Sequence, residues 1–217
     1  MDPLHAAKFC AKMLLVRSPD RVQAVLNAIT SGGIDPWAVA VQGGPAAWEK
    51  LVALGVRLDE MPLLKLAVSS DWRDRREAAR ALNTLHDSPE ALAALFQLAR
   101  DKETEVCGAA ARALSLRDTP EVVGALVALA EHPSKGVRQA AGDSLGRFPD
   151  SNEALKALLK LSLEASPRVH WAAAKSLGNF PDSPEVQEAL VRLSKEKDPY
   201  TRRAARMALK DFKSKSK

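Results

Sequence analysis

The chain has 217 residues, 46% apolar and 27% charged, with a formal net charge of +5. These are the proportions of a soluble globular protein. With no long apolar run and no basic-then-apolar start after Met1, they exclude a membrane span and predict no secretory signal. Two cysteines, Cys10 and Cys107, lie in different parts of the chain, which predicts reduced, packed thiols and a cytoplasmic setting.

The N-terminal third predicts helices over residues 4–16 and 19–29, then sharp breaks at Ser31-Gly32-Gly33 and Gly43-Gly44-Pro45. Short helical segments come next, over 36–41, 46–54 and 62–69. The stretch around Pro36-Trp37-Ala38-Val39-Ala40 faintly resembles an ankyrin unit, with its register slipped. The main expectation for residues 1–68 is a divergent helical cap that seals an exposed array end. Trp72 is expected to anchor that cap at its junction with the repeats.

From residue 69 a repeat takes over. Leu82, Leu114, Leu145, Leu177 and Leu209 are spaced by 32, 31, 32 and 32 residues. Eight residues before them stand Asp74, Val106, Val137, Val169 and Thr201, with alanines between. Offsets 0, +4 and +8 share one face of a helix. Interleaved at the same period are Asp87-Ser88-Pro89-Glu90, Asp118-Thr119-Pro120-Glu121, Asp150-Ser151-Asn152-Glu153 and Asp182-Ser183-Pro184-Glu185. Each offers Asp, Ser or Thr as a cap and starts a first helix, over 89–100, 120–131, 153–164 and 184–195. Ser166-Pro167 and Asp198-Pro199 start second helices in the same way. Gly146 and Gly178 come directly after the terminal leucines and are expected to form left-handed caps. Leu85, Leu116, Phe148, Phe180 and Phe212 add an apolar residue at each exit. Such a period means units that bury their apolar faces only by stacking.

The Val137-Arg138-Gln139-Ala140-Ala141 core and the Asp-x-Pro-Glu starts resemble HEAT repeats, in the short bacterial form known from phycobilin lyase subunits. The resemblance covers about residues 69–212. It implies an all-α, right-handed solenoid of helix pairs; beyond it, Lys213, Lys215 and Lys217 mark residues 213–217 as a basic tail. The Arg after the Val reads Arg75, Cys107, Arg138, His170 and Arg202, so the family's usual Asp–Arg ladder is expected to be incomplete.

Signals for catalysis are scarce. There is no phosphate loop and no nucleophile elbow, and His5, His86, His132 and His170 lack ligand spacing. No catalytic residue, metal or cofactor is expected. The basic excess is local: between residues 201 and 217 seven cations accompany the single acid Asp211, which leaves −1 on the rest. Helix offsets instead point to a strip on the second helices, expected to be concave. It comprises Arg76, Arg80, Arg112, Gln139, Trp171, Lys175 and Arg203, with Asn83, Gly108, Ser115, Asp143, Asn179 and Lys210 alongside. Arg and Trp are enriched at the energetic centres of interfaces. The expected function is a non-catalytic scaffold or adaptor holding an acidic protein or peptide along this strip. Nucleic-acid binding is the first alternative. A HEAT-like enzyme or subunit, of the chromophore-lyase or alkyl-base DNA glycosylase type, is the second.

Overall fold

The structure, a computed structural model, describes residues 3–15, 18–34, 39, 46–47, 50–51, 53–54, 61–85, 88–181 and 183–215. The expected segment 36–41, parts of 46–54, and the cap candidates Asp87 and Asp182 lie wholly or partly outside the described residues. All described elements are helical, and no strand occurs among the described residues. None of the described helices is long and apolar enough to cross a membrane.

The chain divides into two compact units, Met1–Ala94 and Leu95–Lys217. The first holds α1 (Pro3–Leu15), α2 (Pro19–Thr30), α3 (Met61–Ala67) and α4 (Trp72–Ala81), which tightens into a 3₁₀ turn over Leu82–Thr84. Gly32, just after α2, has φ 73°, a left-handed conformation that glycine adopts without a Cβ penalty. Leu14, Val25, Leu63, Ala78 and Leu82 are buried in this unit. Asp71 caps α4 by accepting from the Arg73 amide at 2.9 Å.

The unit boundary falls within α5 (Pro89–Leu98). Beyond it come α6 (Thr104–Leu114), α7 (Pro120–Leu129), α8 (Lys135–Leu145), α9 (Asn152–Leu161), α10 (Pro167–Leu177), α11 (Pro184–Leu193) and α12 (Pro199–Lys215). The first helices end two residues or more before the expected limits, because their last carbonyls are taken up in tight turns. The final helix runs on to Lys215, past the expected start of the tail.

The Ser or Thr caps each of the first helices. The side chains of Ser88, Thr119, Ser151 and Ser183 accept from the amides of Ala91, Val122, Ala154 and Val186. Among the second helices, Asp198 accepts from both the amide (2.7 Å) and the hydroxyl (2.8 Å) of Thr201. Ser166 makes no side-chain cap.

The second helices α6, α8, α10 and α12 stack directly on one another. The repeat positions Val106, Ala110 and Leu114, then Val137, Ala141 and Leu145, then Val169, Ala173 and Leu177, are all buried. Serines lock the register: Ser144 donates to the Ala111 carbonyl at 3.0 Å and Ser176 to the Gly142 carbonyl at 2.8 Å. The two glycines are not left-handed caps. Gly146 and Gly178 have φ of −62° and −64°, ordinary right-handed values. Closeness explains them instead: a Cβ on Gly178 would lie 2.8 Å from the Ala208 Cβ. Small residues therefore let the second helices approach one another closely. Of the apolar exit residues, Phe148, Phe180 and Phe212 are buried, whereas Leu116 is exposed.

Candidate binding groove

At four of the five repeats, the residue after the first repeat position holds the loop that joins the two helices of a unit. Arg75 donates to the carbonyls of Ser69 and Ser70, Arg138 to those of His132 and Pro133, and Arg202 to those of Glu196 and Lys197. Cys107 keeps one such contact, with Sγ 3.0 Å from the Asp101 carbonyl. Arg138 also reaches forward to Glu164 at 2.9 Å. His170 takes the same place 3.8 Å from Glu196, with its Nε2 buried and without a hydrogen-bond partner among the described residues. The ladder is a clamp on backbone carbonyls first and a set of ion pairs second.

In the first unit, Arg76 and Arg80 both turn to Glu77, at 2.7 and 3.4 Å. The guanidinium groups of Arg73 and Arg76 also lie over the Trp72 ring, 5.0 and 5.3 Å from its centroid. Trp72 is thus half-buried under cations of its own helix.

In the second unit, the structure brings three of the expected residues together. A groove of about 410 Å³ between α10 and α12 is lined by Trp171, Lys175 and Arg203, together with Tyr200, Met207, Asn179 and the acid Asp211. Trp171 is half-buried, whereas Tyr200 and Met207 are 72% and 56% exposed. Lys175 stands 5.3 Å over the Trp171 ring and 3.3 Å from Asp143. Its charge is therefore partly met within the protein. Asn179 donates to the Gly146 carbonyl at 2.9 Å, which fixes the groove's rim to the preceding unit. Arg203 is exposed and makes no ion pair or hydrogen bond among the described residues.

Arg112 and Gln139 lie outside this groove. Arg112 is exposed and folds back over Gly108, whose Cβ would meet its Nη1 at 3.7 Å. Like Arg203, it makes no ion pair or hydrogen bond among the described residues. Ser115 is buried, against expectation, because its hydroxyl turns back to the Arg112 carbonyl at 2.8 Å.

Sequence reasoning missed Tyr200 and Met207. Met207 stands six residues after Thr201, the offset that Arg112, Asp143 and Lys175 hold in the other units, so the signal was present. Tyr200 precedes its repeat position just as Glu105, Gly136 and Arg168 do, and is the only aromatic among these four.

Among the described residues, no group of three or more His, Cys, Asp or Glu could hold a metal ion. An apolar floor of Trp, Tyr and Met beside a guanidinium without an ion-pair partner among the described residues can bind an apolar side chain and pair with an anion next to it.

The family described as HEAT repeats matches residues 60–146 and again residues 124–210. No curated protein matches the chain. Among solved structures, a designed armadillo repeat protein in complex with the peptide (KR)4 is 19% identical with a TM-score of 0.57, covering 94% of this chain and 98% of that one. An engineered protein is 21% identical with a TM-score of 0.56, covering 96% and 98%. The complex of CpcE and CpcF of phycocyanin lyase from Nostoc sp. PCC7120 is 23% identical with a TM-score of 0.47, covering 69% and 75%.

Proposed function

This chain belongs to the HEAT-repeat family, and we propose that it is a non-catalytic binding protein whose groove between α10 and α12 takes an acidic peptide segment with an apolar side chain. One observation carries the reading: Trp171, Tyr200 and Met207 share one groove with Lys175 and with Arg203, which makes no ion pair or hydrogen bond among the described residues. Trp171 sits where other units have Arg76, Gly108, Gln139 and Arg203, so stacking of the repeat does not require an aromatic there. Exposed apolar side chains gathered at one place mark interaction sites.

The fold supports this use. Helical repeat arrays present extended surfaces, and a structural neighbour is a designed armadillo protein in complex with a basic peptide. Two cations, Lys175 and Arg203, stand against the one acid Asp211 in this chain's groove, a balance that favours an acidic group in the partner. Pairing of Arg76, Arg80 and Lys175 with Glu77 and Asp143 leaves few free cations along the strip, which favours a peptide over a nucleic-acid backbone that needs many.

The test is selection of peptides from a random library on the full chain. Enrichment of acidic sequences carrying an aromatic or long aliphatic residue, with binding lost in Trp171→Ala, is the expected result. Selected peptides without acidic residues, or peptides that bind Trp171→Ala as well as the parent, would overturn the reading.

A further inference from the structure

The second helices stack through small side chains at two offsets from the repeat position. Five residues after it stand Ala111, Gly142 and Ala174, and nine residues after it stand Ser115, Gly146 and Gly178. The following second helix lies directly against them. A Cβ on Gly142 would come 3.5 Å from the Ala172 Cβ, and one on Gly178 would come 2.8 Å from the Ala208 Cβ. In α12 the same two offsets hold Arg206 and Lys210, both exposed. Neither leaves room for a helix at that distance, so their size closes this face of α12 to stacking.

Arg203, Arg206 and Lys210 stand at i, i+3 and i+7, a stripe of about 10 Å along the helix at 1.5 Å per residue. The stripe adjoins the α10–α12 groove. Arg203 and Met207 both line that groove, and Met207 stands four residues from Arg203 and three from Lys210, the spacings of surface neighbours on a helix. None of the three cations makes an ion pair or hydrogen bond among the described residues. The surrounding acids are placed otherwise. Asp198 is held by Thr201, Glu196 lies 3.8 Å from His170, and Asp211 lines the groove and has a contact of its own. Glu185 and Glu188 of α11 form no ion pair with the stripe. A cover that only kept this face wet could mix charges of both signs. Three cations in one stripe leave a positive field that solvation does not require.

We propose, resting on the reading that an acidic peptide fills the α10–α12 groove, that the same peptide continues over α12 and sets a run of two or more carboxylates against Arg203, Arg206 and Lys210. The recognised segment is then an apolar anchor with an acidic run on the side that leaves over α12. The run lies within about four residues of the anchor, since an extended chain advances about 3.3 Å per residue. Three cations suit such a short run. They are few for a duplex, which carries a charge about every 1.7 Å of its axis.

The test is fluorescence anisotropy of the full chain with two labelled, blocked peptides on a glycine-serine background. One has a central tryptophan followed by four glutamates; in the other, the three glutamates farthest from the tryptophan are glutamines. Versions with the run before the tryptophan cover the other chain direction. In one direction the full acidic run is expected to bind about fivefold tighter or more, the scale of two exposed ion pairs, with the gain fading at about 0.5 M salt. Arg206→Gln with Lys210→Gln, at exposed helical positions where glutamine keeps the helix propensity, should remove the gain and leave the glutamine form bound as before. Trp171→Ala should weaken both peptides. Equal binding of the two peptides in both directions, or a gain that survives in the double variant, would overturn the stripe and leave the groove reading standing. No binding of either peptide, or binding indifferent to Trp171→Ala, would overturn the groove reading and this inference with it. Duplex DNA that binds at the same salt and is lost in the double variant would assign the stripe to nucleic acid and overturn the peptide assignment.

Discussion

Any side chain added at Gly146 would place its Cβ 2.5 Å from the Ser176 hydroxyl oxygen and 3.0 Å from the Ser176 Cα. The glycine is therefore a spacer between successive second helices, and the Ser176 hydroxyl that crowds it is itself held on the Gly142 carbonyl. Gly146→Ala should force the two helices apart and cost about 1–3 kcal/mol, the scale of an overpacked core. Gly124→Ala is the control. Its site is open and helical, so the exchange should be neutral or stabilise by about 0.5–1 kcal/mol. Urea unfolding of the two variants checks both signs; equal stabilities would refute the spacer role.

Trp171→Ala should weaken binding of a selected acidic peptide by about 2 kcal/mol or more, the hot-spot scale. The ring is half-buried with Lys175 over it, so some stability should go too, but less than is lost in binding. Fluorescence anisotropy of the labelled peptide, beside a thermal melt, gives the two losses. A large stability loss with binding intact would place Trp171 in the core.

Arg203→Glu should harm binding more than Lys175→Met does. Arg203 makes no ion pair or hydrogen bond among the described residues, whereas Lys175 already shares Asp143. Charge reversal at a rim position acts mainly on the association rate and its salt dependence. Stopped-flow association at two ionic strengths tests this; no change in rate for Arg203→Glu would remove it from the site.

Asp198→Ala should cost about 1 kcal/mol, the usual scale for a lost cap. The Thr201 amide and hydroxyl hold the Asp198 carboxyl below its ordinary value of 3.8. A group with a depressed folded pKa stabilises above its unfolded pKa. That contribution is lost as the pH falls from about 3.8 through the folded value. The variant should therefore differ from the parent near neutrality and converge on it in acid. A constant difference down to the lowest pH reached would deny the carboxylate this role.

The period of 32, 31, 32 and 32 residues, the buried offsets of Val106, Ala110 and Leu114, and the helix starts at Ser88, Thr119, Ser151 and Ser183 were all legible in the chain. They depend on helical geometry and capping within one element, and both act over a few residues. The gathering of Trp171, Lys175 and Arg203 into one groove was half legible: their offsets point to one face, but that Arg112 and Gln139 stand apart cannot be read from offsets. The tertiary structure decided the rest. Whether a cation is free is set by what lies across the next helix, which is why Lys175 meets Asp143 while Arg203 meets no ion-pair partner among the described residues. The same holds for Gly146 and Gly178: their sequence positions suit a left-handed cap, but the distance to the neighbouring unit, not the local backbone, is what demands glycine.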